Sequence, residues 1–240
     1  MLSKKYITEL AQKYQTTETN IAREYCQHLF LSYFYQKKNS NQILFKGGTA
    51  LRIIYNSPRF SEDLDFSAFN IKLKMLEDIF LNSIVDIENT GIKAEIKEAK
   101  PTSGGYLGIA YFNFLDFREA IQVEVSLRSK KIIKPEINLI NASYAPPFNI
   151  ASLPQKLLIE EKIEALLSRA KPRDFFDLYF ILRSDFKLTK NTFKFSEILK
   201  KLDKTTIDFK IELKMLLPKS HHIILKDFRN IFRREIEKFI

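Results

Sequence analysis

The chain of 240 residues has no tryptophan, only one cysteine and no apolar run approaching a membrane span. One cysteine excludes an internal disulfide framework, so Cys26, with apolar neighbours at helical spacing, reads as core packing in a reducing compartment. A transmembrane helix needs about 20 consecutive apolar residues, and none is present. Charge arrives early, at Lys4, Lys5, Glu9 and Lys13, which speaks against a signal peptide. There is no internal repeat and no low-complexity tract. These absences lead to the expectation of a soluble, cytoplasmic globular protein without a membrane partner. Acidic residues are also in deficit: 29 Asp and Glu against 39 Lys and Arg give a formal charge of +10. That balance favours a polyanionic partner, because positive surface attracts phosphate backbones before any specific contact forms. Lys-, Asn- and Phe-rich usage without Trp is equally what an AT-rich genome produces, so charge alone decides nothing. At 45% hydrophobic residues the chain can fill one large core or two small ones.

The chain is organised around residues 43–66. Ile43, Leu44 and Phe45 form an apolar run that breaks at Gly47 and Gly48 and resumes with helical periodicity at Leu51, Ile54 and Tyr55. That pattern is strand, tight turn, helix. Two glycines let the backbone approach a ligand closely, and Thr49 can cap the helix with its hydroxyl facing the same space. Downstream, Asp63 and Asp65 alternate with Leu64 and Phe66. In an extended segment both carboxylates then share one face, where mutual repulsion calls for a cation.

Helices are expected over Leu2–Tyr14, over Thr19 to about Lys37 and over Leu73 to about Ile87, with His28 packed inside the second. Ile92, Ala94 and Ile96 mark a strand, Gly104 and Gly105 a turn, and Tyr106–Phe114 its hairpin partner. A third strand, Gln122–Arg128, aims Glu124 at its polar face, where spacing alone fits a surface glutamate as well as a metal ligand. Asp116 is the rival carboxylate but falls in a turn. Residues 132–154 hold four prolines and read as a connector, which divides the chain into 1–150 and a helical 151–240.

A second charged cluster follows. Lys162 and Arg169 lie seven apart, on one face of an expected helix, and a second helix opens at Pro172 with Asp174 in its first turn. Arg173 and Asp177 stand at i and i+4, able to pair. Taken by itself this fits an exposed, salt-bridged helical hairpin better than an anion site. Adjacent His221 and His222 lack metal-site spacing.

Taken together, Phe-Lys-Gly-Gly-Thr-Ala-Leu-Arg, Arg-Phe-Ser-Glu-Asp-Leu-Asp and the later Arg-Asp-x-x-Asp-Leu resemble the AbiEii/AbiGii branch of the DNA polymerase beta-type nucleotidyltransferases, toxins of abortive-infection toxin–antitoxin pairs. The resemblance implies an α/β (α+β) fold, a nucleotidyltransferase-like mixed sheet with flanking helices plus a C-terminal helical domain across a cleft. It implies Asp63, Asp65, Lys162 and Asp174 as catalytic residues, with Asp174 orienting Lys162 or acting as a base. Gly47, Gly48, Thr49, Arg52, Lys162 and Arg169 would bind the nucleotide, Arg59 being a lower-ranked phosphate contact. Mg2+ or Mn2+ would be held by Asp63, Asp65 and Glu124, whereas Glu62 points away. The implied reaction moves an NMP from an NTP to an RNA acceptor, a tRNA end in particular, with a DNA-binding cognate antitoxin as partner. The alternative is an NTP-binding regulator or RNA-binding module without transfer; transfer onto protein hydroxyls is a third possibility.

Overall fold

The computed structural model describes residues 1–127, 133–188 and 192–240, and of residues 192–193 the backbone alone. Arg128, the last residue of the expected third strand, and Ile132, the start of the expected connector, lie outside the described residues. The chain divides into two compact units, Met1–Asn56 with Phe60–Leu153, and Ser57–Arg59 with Pro154–Ile240.

The first unit opens with α1 (Lys4–Lys13) and α2 (Glu18–Phe34), each started by a hydroxyl cap: Ser3 accepts from the Tyr6 N–H and Thr17 from that of Asn20. Then come β1 (Ile43–Lys46), α3 (Gly47–Ile53), β2 (Asp63–Ala68) and α4 (Leu73–Glu88). Five strands complete it: β3 (Lys93–Thr102), β4 (Gly105–Phe114), β5 (Phe117–Ser126), β6 (Glu136–Ala142) and β7 (Ala145–Ser152). Among the described residues they form a mixed seven-stranded sheet in the order β3-β4-β5-β2-β1-β7-β6. The pairs β2/β5 and β1/β7 are parallel and the others antiparallel.

Alternation decides which face is covered. Leu64, Phe66 and Val123 are buried completely and Val125 nearly so, whereas Asp63 and Asp65 between them are only half-buried. Phe34 of α2 meets Phe66 of β2 with ring centroids 5.2 Å apart, and Phe80 of α4 meets Tyr106 of β4 at 5.9 Å. Burying each such side chain contributes about 1.5–3 kcal/mol, which pins the register and holds the other face of β2 and β5 toward solvent.

The expected connector is instead the β6/β7 hairpin. Pro146 and Pro147 are exposed and fall at the register shift between Ile140 and Ala142, where the ladder does not require their missing N–H groups. The inner strand β1 also meets β7 only near Ser152, opposite Phe45, which leaves the prolines clear of it.

The second unit contains α5 (Gln155–Arg169), α6 (Pro172–Arg183), α7 (Thr192–Lys204), α8 (Phe209–Leu216), a 3-10 helix (Lys219–Lys226) and α9 (Phe228–Glu237). Ala170, at φ 49°, closes α5, and Pro172 opens α6. Its core is aromatic: Phe175, Phe176, Phe209, Phe228 and Phe232 are buried, and Phe209 meets Phe228 edge-on at 5.0 Å. Among the described residues no helix is long and apolar enough to cross a membrane.

Candidate active site

The site in the first unit is set by strand register. In the parallel pair β2/β5, Asp65 stands beside Glu124 and Asp63 beside Gln122, while in the antiparallel pair β1/β2 Lys46 stands beside Asp65. The same row continues to Leu107 on β4 and Lys100 on β3. Neighbouring strand partners project to the same side, so Asp63, Asp65 and Glu124 share the face that α2 and α4 leave uncovered. A cleft of about 380 Å³ opens there, lined by Lys46, Asp65, Leu107, Glu124 and Ser126 among others.

Two contacts lock the glycine turn to the acidic strand. Gly47 has φ +83°, and a Cβ built on it would lie 2.1 Å from Asp65 Oδ2. The Asp65 carboxylate therefore rests in space that only glycine leaves open. The Thr49 hydroxyl donates to the Asp63 carbonyl, and the residue is fully buried. Thr49 thus does not cap α3, whose N-cap residue Lys46 makes no side-chain capping bond. Its hydroxyl fixes α3 to β2 instead of facing a ligand.

The three residues expected to hold a metal share one face of the sheet. Three oxygen-only donors on one face are chemically suited to a hard divalent cation. Among the described residues, however, no group of three or more His, Cys, Asp or Glu is gathered so that it could hold a metal ion. Glu124 Oε1 accepts from the Gln122 side-chain amide at 2.6 Å, which draws it along its own strand. Glu62 pairs with Arg23 at 3.1 Å, away from the two aspartates as expected.

Arg52, expected at the nucleotide, is held by Glu24. Its guanidinium donates to Glu24 through Nε at 2.7 Å and Nη2 at 3.2 Å and lies 4.0 Å from the Phe60 ring centroid. Tyr144 donates its hydroxyl to Glu24 as well, at 2.8 Å. Arg52 is therefore engaged in a buried cluster of the first unit. His28, one turn beyond Glu24 and 4.9 Å from the Tyr144 ring, is packed there with its pKa pushed down to about 4 by burial.

In the second unit the partners differ from those expected. Lys162, 7% exposed, donates to Asp177 Oδ2 at 2.7 Å, and Arg59 donates to the same carboxylate at 2.7 and 3.0 Å. Burial alone would raise the Asp177 pKa, but the attraction of Arg59 and Lys162 and their hydrogen bonds outweigh it and hold it at about 2. The residue orienting Lys162 is thus Asp177, not Asp174, and Arg59 is a 2% exposed ion-pair partner, not an open phosphate contact. Asp174 accepts from the Arg169 guanidinium at 2.7 Å and from the Lys171 N–H at 3.0 Å, closing the first turn of α6. Lys162 and Arg169 accordingly hold separate carboxylates. Arg173 pairs not with Asp177 but with Glu212, at 3.3 Å.

Sequence reading passed over Lys46, Glu24, Tyr144 and the linking role of Asp177. Position in the motif could have flagged Lys46, which immediately precedes Gly47. Nothing local signals the Arg59–Asp177 pair, whose members are 118 positions apart.

A sheet of this topology with paired carboxylates beside a glycine turn defines a nucleotidyltransferase-like protein. JHP933 from Helicobacter pylori superposes with a TM-score of 0.61 over 93% of this chain and 95% of its own, at 23% identity. MenT4, a nucleotidyltransferase toxin from Mycobacterium tuberculosis, does so at 0.63 over 99% and 98%, with 17% identity. A further H. pylori protein described as a nucleotidyltransferase gives 0.56 at 19% identity, over 93% and 99% of the two chains. At these identities the likeness is one of fold. No curated protein matches the chain. Residues 29–239 match the family described as nucleotidyl transferase AbiEii toxin, type IV toxin–antitoxin system, and the chain belongs to that family. It is an enzyme that transfers nucleotides.

Proposed function

We propose that the protein moves an NMP from an NTP to an RNA acceptor, a tRNA in particular, in a reaction that depends on Mg2+ or Mn2+. The observation that carries this reading is the Asp65 carboxylate seated against Gly47, with Asp63 on the same face, at a cleft large enough for part of a nucleotide. Asp63 and Asp65 would hold the divalent ion, with Glu124 completing the set once released from Gln122. Such an ion, when bound, neutralises phosphate charge and makes an attacking hydroxyl more acidic. The chain's own part is placement. Gly47 allows the backbone to come close to the triphosphate, and Lys46 brings a cation beside Asp65.

Lys162 and Arg169 remain proposed phosphate ligands, each oriented by a carboxylate of its own unit, Asp177 and Asp174 respectively. In this reading Asp174 is a positioning residue. A DNA-binding cognate antitoxin would restrain the enzyme, in keeping with the toxin–antitoxin family.

Label transfer from an α-labelled NTP to bulk tRNA tests the assignment. Asp65→Asn is expected to reduce transfer by about 100-fold or more while the thermal unfolding transition stays cooperative. Transfer at the wild-type rate by that variant would refute the role of the carboxylate pair.

A further inference from the structure

The positive charge of the chain is unevenly placed. The second unit carries 21 Lys and Arg against 13 Asp and Glu, a net of +8, whereas the first carries +2. A drift in base composition would raise lysine content throughout; it would not concentrate the excess in the smaller unit. Many of these cations are already engaged internally. Arg59 and Lys162 share Asp177, and Lys201 and Arg229 donate to backbone carbonyls.

Four that are not so engaged lie on one stretch, as Lys200 and Lys204 do on α7. Lys210 and Lys214 on α8, and Lys219 and Lys226 on the 3-10 helix that packs against it, are all exposed. Among the described residues none has a carboxylate within ion-pair distance. Glu212, the only acidic residue between positions 210 and 226, is turned toward Arg173 at 3.3 Å. Lys210 and Lys214 are i and i+4 on one helix face, a like-charge pair that costs stability when nothing neutralises it. Four unmatched cations on two packed elements make a positive face that can receive a polyanion.

We infer that this α8 face is where the acceptor RNA docks, through its phosphate backbone; the inference rests on the proposed RNA acceptor. Flexible lysines spaced over two elements suit an extended chain of phosphates. The aromatic rings bounding the stretch, Phe209 and Phe228, are only 6% and 1% exposed. Neither phenylalanine ring is thereby offered for a base to stack on, and the contact proposed for the four lysines is by charge, not by sequence. The rival occupant is an acidic protein, which would use the exposed aliphatic side chains Ile211, Met215 and Ile223.

The test uses the full chain with Lys210, Lys214, Lys219 and Lys226 all changed to Ala, and follows bulk tRNA binding by fluorescence anisotropy across a salt series. Losing four phosphate contacts should lower the slope of log affinity against log salt by about 3 and weaken binding at low salt by about tenfold or more. NTP binding should not change, and the melting transition should stay cooperative and not fall. Ile211→Ser with Met215→Ser and Ile223→Ser should leave RNA binding as it is. Wild-type affinity and slope in the lysine variant would overturn the inference, and so would loss of RNA binding in the aliphatic variant alone. If RNA binding is lost with the lysines but the wild-type enzyme labels no RNA, the docking face stands and the acceptor assignment falls.

Discussion

Replacing Gly47 with alanine is the sharpest perturbation the site offers, because one methyl group acts on both backbone and chemistry. Gly47 sits at φ +83°, and a non-glycine residue in the left-handed region costs about 1–2 kcal/mol. The added Cβ would also stand 2.1 Å from Asp65 Oδ2 and 2.8 Å from both Cβ and Cγ of Asp65. Rotating the carboxyl relieves the first contact but not the Cβ contact, so β2 itself must shift. Such overpacking adds about 1–3 kcal/mol. A displacement on the order of 1 Å in a reacting constellation lowers turnover about 100-fold. Gly91 supplies the control, since it has φ +88° with nothing within 4 Å of a built Cβ. Gly91→Ala should therefore show the backbone cost alone, about 1 kcal/mol, and wild-type transfer. Label transfer from an α-labelled NTP and thermal melts of both variants decide the matter. Equal activity in the two, or transfer by Gly47→Ala within about threefold of wild type, would show that Asp65 is not held by the turn as argued.

Two further outcomes concern buried charge. Asp177→Ala removes the carboxylate shared by Arg59 and Lys162, which are 2% and 7% exposed, and should lower stability by about 3–5 kcal/mol. Because the native Asp177 pKa is held down at about 2, its stabilising effect is complete above the unfolded value of about 3.9 and is lost as pH falls toward 2. Asp177→Asn should flatten the acid-unfolding curve in that window, and an unchanged curve would count against the ion-pair account. His28 acts at milder pH. Burial lowers its pKa from 6.5 to about 4 despite Glu24, with Arg52 adding to the depression and the Tyr144 ring packed against it. The unfolded chain therefore takes up a proton first, and stability should fall by up to about 3 kcal/mol between pH 6.5 and 4. Denaturant midpoints of His28→Gln should lose most of that slope; a wild-type curve already flat there would sink the argument.

Local periodicity made much of this fold legible. The run Ile43–Phe45 breaking at Gly47, and the alternation of Asp63 and Asp65 with Leu64 and Phe66, are patterns of two to four residues, and the structure keeps both. The β6/β7 hairpin was hidden because Pro146 and Pro147 look like linker residues when seen without the register shift that accommodates them. Charge partners were hidden for a different reason. Spacing pairs Arg173 with Asp177, yet the Asp177 carboxylate is claimed by two cations, one from α5 and one 118 positions upstream. Arg52 likewise has the spacing of a phosphate ligand, and only the buried Glu24, 28 positions before it, takes it inward. Sequence distance conceals such pairs because desolvation decides them, rewarding whichever opposite charge the core brings close.

The same distinction explains why the glycine and aspartate halves of the motif belong together. The intervening loop is itself pinned, with Ser57, Arg59 and Phe60 buried, and its two ends are tied to each other. The Thr49 hydroxyl reaches the Asp63 carbonyl and the Gly47 backbone lies against the Asp65 carboxylate, so two residues of α3 that are two apart address two residues of β2 that are two apart. A helix start and a strand joined at two such points move as one body, and the carboxylates inherit the rigidity of the sheet. Hydrophobic burial of Leu64 and Phe66 fixes which way the strand faces. Glycine and threonine then fix how far the acids project, a division of labour that rigid elements allow and a site carried on a loop would not.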